Sequence, residues 1–186
     1  MAPAHWLLLQ RTVRFGDTDA AGVMHFHQLL RWCHEAYEES LESFGIPAAA
    51  IFPTPNRGPA GGSAGESSPV STALPIVHCQ ADYLAPLICG DQLTIALRPQ
   101  RLEAGSFELG YCFTQAKGGL QPVARGLTRH VAIDPLSRRR CDLPRAIAQW
   151  LEASAEAAGR DPFRGSAPGA REPRAMPPSA TESGWP

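Results

Sequence analysis

Two carboxylates set two residues apart, Asp17 and Asp19, lie in the stretch Arg14-Phe15-Gly16-Asp17-Thr18-Asp19-Ala20-Ala21-Gly22-Val23-Met24-His25-Phe26-His27, and a helix-like run from Gln28 to Phe44 follows at once. A carboxylate can attack a carbonyl carbon itself or draw a proton from water that does so. A glycine-containing loop that opens into a helix offers unpaired N–H groups to the negative charge such an attack creates. The stretch therefore suits hydrolysis at an acyl carbon, with backbone groups around Gly22, Val23 and His25 as candidate substrate-binding positions. The small apolar neighbours Ala20, Ala21 and Val23 would raise the pKa of a carboxylate buried among them, which favours a base over a nucleophile. The same residue types also cap helices and form turns, so spacing alone leaves both readings of the acids open. His25 and His27, on either side of Phe26, read equally as satisfied polar residues at a helix start or as bases.

The flanking elements follow from periodicity. From Trp6 to Phe15, Leu7, Leu9, Val13 and Phe15 alternate with Gln10, Thr12 and Arg14, which predicts a half-buried strand. Leu29, Leu30, Trp32, Cys33, Ala36, Tyr37, Leu41 and Phe44 recur at three- and four-residue steps with glutamates opposite, a helix stopped by Gly45 and Pro47. Four strands are expected next, over Ala73–Leu84, Gln92–Arg98, Ser106–Gln115 and Val123–Ile133, with Gly-containing turns between antiparallel neighbours. Asp142-Leu143-Pro144 reads as the start of a short final helix carrying Ile147, Trp150 and Leu151. The apolar face of the long helix needs a partner, and a five-stranded antiparallel sheet wrapped around it supplies one: an α+β fold.

Between Pro53 and Pro69, eleven of seventeen residues are Pro, Gly or Ser, a composition that cannot bury enough apolar area to offset chain entropy. It is expected to be a flexible surface insertion that could lie over a substrate entrance, within one domain over residues 1–158. The stretch from Gly159 to Pro186 is expected to be a disordered tail. A net charge of -1 in 186 residues gives no basic field for nucleic acid. No apolar run reaches the roughly 18 to 20 residues of a membrane-spanning helix, and the N-terminus lacks the basic lead of a signal peptide, so a cytoplasmic protein is expected. The five cysteines are odd in number and widely spaced, which predicts reduced thiols packed as small hydrophobes. No histidine or cysteine spacing calls for a metal, and no cofactor is implied.

The segments Asp17-Thr18-Asp19-Ala20-Ala21-Gly22-Val23, Cys33-His34-Glu35-Ala36-Tyr37-Glu38, Ala73-Leu74-Pro75-Ile76-Val77-His78, Ala85-Pro86 with Cys89-Gly90-Asp91, and Thr128-Arg129-His130-Val131 together resemble the 4-hydroxybenzoyl-CoA thioesterase family. Within that group they show a closer resemblance to the cyanobacterial 1,4-dihydroxy-2-naphthoyl-CoA hydrolases of phylloquinone synthesis. The resemblance covers about Val13 to Pro144 and implies a hotdog fold, an acyl-CoA substrate, and a homodimer or homotetramer with active sites at subunit interfaces. It assigns the catalytic carboxylate to Asp19 and departs from the family at His25-Phe26-His27, where relatives carry tyrosine or asparagine. With an aromatic acyl group, His34 becomes a candidate substrate-binding residue that could hydrogen-bond a phenolic oxygen. His78 and His130, mid-strand, fit core or interface. Arg98, Arg101, Arg125, Arg129 and Arg138-Arg139-Arg140 are candidate contacts for CoA phosphates. A thioesterase for another acyl-CoA, or a hotdog domain that binds a thioester without cleaving it, is the alternative; hydratase chemistry fits the resemblance less well.

Overall fold

The computed structural model describes residues 4–51, 72–115 and 121–158; the expected insertion from Pro53 to Pro69 and the expected tail from Gly159 lie outside them. Strands β1 (Leu8–Thr12), β2 (Ile76–Tyr83), β3 (Gln92–Glu103), β4 (Ser106–Gln115) and β5 (Pro122–Val131) form one antiparallel sheet in the order β1-β3-β4-β5-β2. Helix α1 (Gln28–Phe44) lies against its inner face, a short helix α2 (Ala48–Ile51) follows it, and α3 (Arg145–Ala158) packs beside β3. This is the hotdog arrangement, with two main helices and the five-stranded sheet curved around the longer one.

Period explains the packing. Phe107, Leu109, Tyr111 and Phe113 of β4 and Leu93, Ile95 and Leu97 of β3 are buried, while the residues between them are more exposed. They meet Leu29, Trp32, Cys33, Ala36, Tyr37 and Leu41 of α1 in one core, as alternation in a strand and three- and four-residue steps in a helix require. The helix ends as its sequence predicts. Gly45 takes φ 99°, its N–H bonds the Glu42 carbonyl, and the next N–H, of the buried Ile46, returns to the Leu41 carbonyl.

Element limits differ from expectation: β2 and β5 cover Ile76–Tyr83 and Pro122–Val131 rather than Ala73–Leu84 and Val123–Ile133, and β1, β3 and α3 differ as well. β1 stops at Thr12, because the chain turns into a 3-10 turn at Phe15–Asp17 held by its own side chains: the Arg14 N–H bonds Asp17 Oδ2 at 2.8 Å and the Thr18 hydroxyl bonds the Phe15 carbonyl at 2.8 Å. Phe15 is consequently 84% exposed rather than on the buried face. β3 runs on through Pro99 to Glu103; its pairing with β1 ends at Ala96, so the proline sits where β3 is an edge. α3 spans 14 residues and begins at Arg145, with Pro144 accepting the Ala148 N–H.

The core encloses a directed polar chain. His130, 1% exposed, stacks on Phe107 with ring centroids 4.7 Å apart and lies 4.9 Å from the Tyr37 ring. Its Nδ1 is 3.2 Å from the Leu74 carbonyl, which can only accept, so Nδ1 carries the proton. Nε2 therefore accepts from the Thr128 hydroxyl at 3.1 Å, and that oxygen accepts from Tyr111 at 3.2 Å. All five cysteines are free; Cys33 is buried, and burial pushes its thiol pKa up.

Cys33 also explains a glycine in mid-strand. A Cβ on Gly126 would stand 2.4 Å from Cys33 Sγ and 3.4 Å from the Tyr111 ring. Gly126→Ala is expected to lose about 1–3 kcal/mol through overpacking, read as a lower urea midpoint. Pairing it with Cys33→Ala should recover most of that loss, and additive losses would show that the clash is not the cause.

Candidate active site

The loop after β1 is sewn to two other parts of the chain. Asp17 is its hub: Oδ2 accepts the Arg14 N–H, Oδ1 accepts Gln28 Nε2 at 2.5 Å, and its carbonyl accepts the His25 N–H at 2.8 Å. Asp19 closes the turn, its N–H bonding the Val23 carbonyl at 2.9 Å, its carbonyl accepting the Gly22 N–H at 3.0 Å, and its Oδ1 accepting the Ala21 N–H at 2.8 Å. Gly22 sits at φ 77°, a conformation that favours glycine. Met24 then bonds the Leu87 carbonyl through its N–H at 2.8 Å, and Val23 pairs with Ile88.

These links fold the loop against the stretch that leaves β2. Between them lies a cleft of about 420 Å³ lined by Asp19, Val23, Met24, Phe26, Tyr83, Leu84, Ala85, Pro86 and Leu87. Asp19 is the only acidic side chain in that lining, and the walls are otherwise apolar apart from the Tyr83 hydroxyl. Tyr83 also fastens the loop to the sheet: its hydroxyl is 3.2 Å from the His25 carbonyl and 3.1 Å from that of Phe26. Phe26, 75% exposed, stands at the mouth with its ring 4.6 Å from that of His25.

Of the residues singled out in the sequence, the fold brings Asp19 and Val23 to the cleft; Gly22 shapes the turn beside it. Asp19 is exposed, as are Ala20 and Ala21, so the expected burial of this carboxylate among small apolar neighbours is not seen. Gly22, Met24 and His25 spend their N–H groups on Asp19, Leu87 and Asp17, and Gln28 at the start of α1 spends its own on the His25 carbonyl, which removes three of the four backbone donors considered for the oxyanion and leaves Val23. His25 and His27 face each other with Nδ1 atoms 2.6 Å apart, so one ring donates to the other. His34 lies further along α1, outside the lining, with Nε2 3.2 Å from Glu38 one turn on. No group of three or more His, Cys, Asp or Glu residues gathers among the described residues.

Sequence reasoning did not find Met24 or the wall from Tyr83 to Leu87. The available signal was Leu84-Ala85-Pro86-Leu87, an apolar run without a period, broken by proline, that neither face of a strand calls for. Of the arginines considered for phosphate contact, Arg125 pairs across the sheet with Asp82, next to this wall, while Arg129 is bonded to Glu108 at 2.7 and 3.2 Å and Arg140 lies 4.0 Å from Glu103. None of them lines the cleft.

Residues 13–151 match the sequence profile of the thioesterase-like superfamily. The chain belongs to that superfamily. Its relatives within it include a 1,4-dihydroxy-2-naphthoyl-CoA hydrolase from Synechococcus sp. strain RCC307, 55% identical over 144 residues that cover 77% of this chain and 99% of the other. Among solved superfamily structures, one from Prochlorococcus marinus strain MIT 9313 aligns with a TM-score of 0.72 at 52% identity, covering 83% of this chain and 99% of that one. A 1,4-dihydroxy-2-naphthoyl-CoA thioesterase from Synechocystis aligns with a TM-score of 0.62 at 31% identity, over 78% and 94%. In this thioesterase-like chain the matched span begins at Val13, immediately before the Asp17 hub, and ends in α3, so it takes in both walls of the cleft.

Proposed function

We propose that this chain is an acyl-CoA thioesterase that hydrolyses 1,4-dihydroxy-2-naphthoyl-CoA to 1,4-dihydroxy-2-naphthoate and CoA, in the cytoplasm, as part of phylloquinone (vitamin K1) synthesis. We assign it to the 4-hydroxybenzoyl-CoA thioesterase family within the superfamily. The observation that carries this reading is a lone carboxylate, Asp19, at the rim of a cleft whose other walls are apolar and partly aromatic. An aromatic acyl group fits against Val23, Phe26 and Leu84, which brings its thioester carbonyl to the carboxylate. Asp19 then takes a proton from water as the water oxygen attacks the carbonyl carbon, or attacks that carbon itself. The resulting oxyanion is met by a backbone N–H group in the stretch from Val23 to the start of α1. The intermediate collapses by breaking the C–S bond, and the CoA sulfur leaves as a thiolate; on the direct route the Asp19 anhydride so formed is then hydrolysed by water, which releases the acid and restores the carboxylate.

The working unit in this reading is a homodimer or a homotetramer. Among the described residues β2 pairs only with β5, and none of its residues is buried. Val77 is 56% exposed and Leu84 and Ile88 are each 52% exposed. A long apolar edge strand is a template for another strand. Pairing β2 with β2 of a second copy satisfies that edge and sets the second copy beside Phe26 and the cleft.

The reading is tested by offering purified protein a panel of aromatic and short-chain acyl-CoAs and following free thiol. The highest kcat/KM is expected on 1,4-dihydroxy-2-naphthoyl-CoA. Faster turnover of another acyl-CoA would reassign the substrate, and tight binding without thiol release would make the chain a non-catalytic thioester-binding domain. Val77→Lys is expected to shift the molar mass by light scattering to that of a monomer and to depress turnover with it; an unchanged mass would rule out pairing through β2.

A further inference from the structure

We propose that Gln28 is a positioning residue for Asp19, tying the first turn of α1 to the Asp17 hub and so fixing where the catalytic carboxylate stands. The inference rests on the hydrolase reading above. Gln28 is only 3% exposed although it begins a helix, and its Nε2 donates to Asp17 Oδ1 at 2.5 Å. The orientation of the amide is fixed chemically, since a carboxylate can only accept. Its other end, Oε1, is buried and has no hydrogen-bond partner among the described residues. A buried acceptor left without a partner is destabilising. Packing alone would be better served there by leucine or methionine, so the bond to Asp17 is what the polar side chain supplies.

That bond occupies a singular place in the network. Among the described residues, every other hydrogen bond made by the side chains of Asp17, Thr18 and Asp19 stays within the Arg14–Ala21 segment. Gln28 is the one side chain from another element that reaches this turn. The backbone bond from Met24 to Leu87 and the bonds from the Tyr83 hydroxyl to the His25 and Phe26 carbonyls hold only the far end of the loop. Without Gln28, the near end, which carries Asp19, is held among the described residues by two backbone bonds, the His25 N–H on the Asp17 carbonyl and the Asp19 N–H on the Val23 carbonyl. The Asp19 side chain is exposed and bonds only within its own turn, so its position is inherited from Asp17 on one side and Val23 on the other.

Three variants and two readouts test this. Gln28→Leu keeps the volume and loses the donor. Its kcat is expected to fall on the order of tenfold to a hundredfold, the scale of a misplaced reacting group, with KM changed less than threefold and thermal stability largely retained. Gln28→Asn, which keeps the amide on a shorter stem, should recover part of the loss. In Gln28→Glu two carboxylates face each other near neutral pH, and lowering the pH lets them share a proton and restores a donor. Its kcat relative to wild type should therefore climb toward pH 5.5, while the ratio for Gln28→Leu stays flat. Hydrogen exchange supplies a readout independent of turnover: the Asp19 and Gly22 amides, bonded to Val23 and Asp19, should exchange at least tenfold faster in Gln28→Leu. Wild-type turnover on no acyl-CoA would overturn the hydrolase reading, and the exchange result would then decide whether Gln28 sets the turn. Unchanged exchange at both amides, or a lowered melting temperature with wild-type kcat and a pH-independent ratio, would overturn the positioning role.

Discussion

Replacing Asp19 with asparagine is expected to lower kcat for thioester hydrolysis by about 10²- to 10⁴-fold, the range a positioned general base contributes, while leaving the fold intact. The separation of the two effects comes from the geometry. Asp19 is exposed, and its side chain makes one hydrogen bond, from the Ala21 N–H to Oδ1 at 2.8 Å. An asparagine oxygen accepts the same bond, so stability should move by no more than about 0.5 kcal/mol, as at other surface sites. The loss would then belong to the missing negative charge. A folded Asp19→Asn enzyme with wild-type turnover would remove Asp19 from the chemistry and return it to the role of turn former. A single turnover in isotopically labelled water separates the two routes: label found first in the acid product marks base-assisted attack by water, and label in the Asp19 carboxylate marks an acyl-enzyme.

The second large effect is expected from pH acting on stability through His130. Burial lowers its pKa from 6.5 to about 4; the hydrogen bond with the Leu74 carbonyl works against that shift, and the nearby His34 adds to it. A folded-state pKa below the unfolded one means that the unfolded chain takes up the proton first as the pH falls. This contribution to stability is complete above about pH 6.5, declines between about 6.5 and 4, and levels off below. A difference of that size is worth about 3 kcal/mol, a large share of the margin of an ordinary domain. Urea midpoints of wild type and His130→Gln, compared from pH 7.5 down to 4.5, isolate the effect from carboxylates that titrate nearby. The variant should start lower and descend less steeply, and parallel curves would show that His130 does not carry the dependence.

The parts of the fold that a linear pattern can carry were readable. α1 is bounded at Gln28 and at Gly45 where its apolar steps and its cap place it, and β4 has the predicted limits and face. Phe15 misled because its parity matched β1, while the bonds that end the strand come from Asp17 and Thr18 acting locally. β2 has no buried face in one chain, so its apolar residues could not declare a partner. The far wall of the cleft was hidden for a different reason. Tyr83 to Leu87 lie some sixty residues from Asp19 in sequence, and a period says nothing about which distant segment a loop will meet. Asp19 itself was named through a family resemblance that linked separate segments in order, whereas spacing alone left it level with a turn residue. Gln28 gave no sign at all: a glutamine at a helix start is unremarkable until Asp17 is seen to bind it.

The long reach of the N-terminal contacts sets a schedule for the chain's birth. Gln10 bonds Thr94 of β3, 84 residues away, and the Trp6 indole N–H bonds the Ser154 hydroxyl of α3, 148 residues away. A ribosome adding about 5–20 residues per second releases Asp19 on the order of ten seconds before it releases Ser154. For the first half of that interval α1 has no sheet to cover it and the carboxylate has no wall opposite, and α3 is still missing when both have been made, so the nascent chain owns its reactive group long before it owns a catalyst. Stopping translation short of α3 should leave a polypeptide that chaperones hold and proteases clear, with no partial activity to salvage.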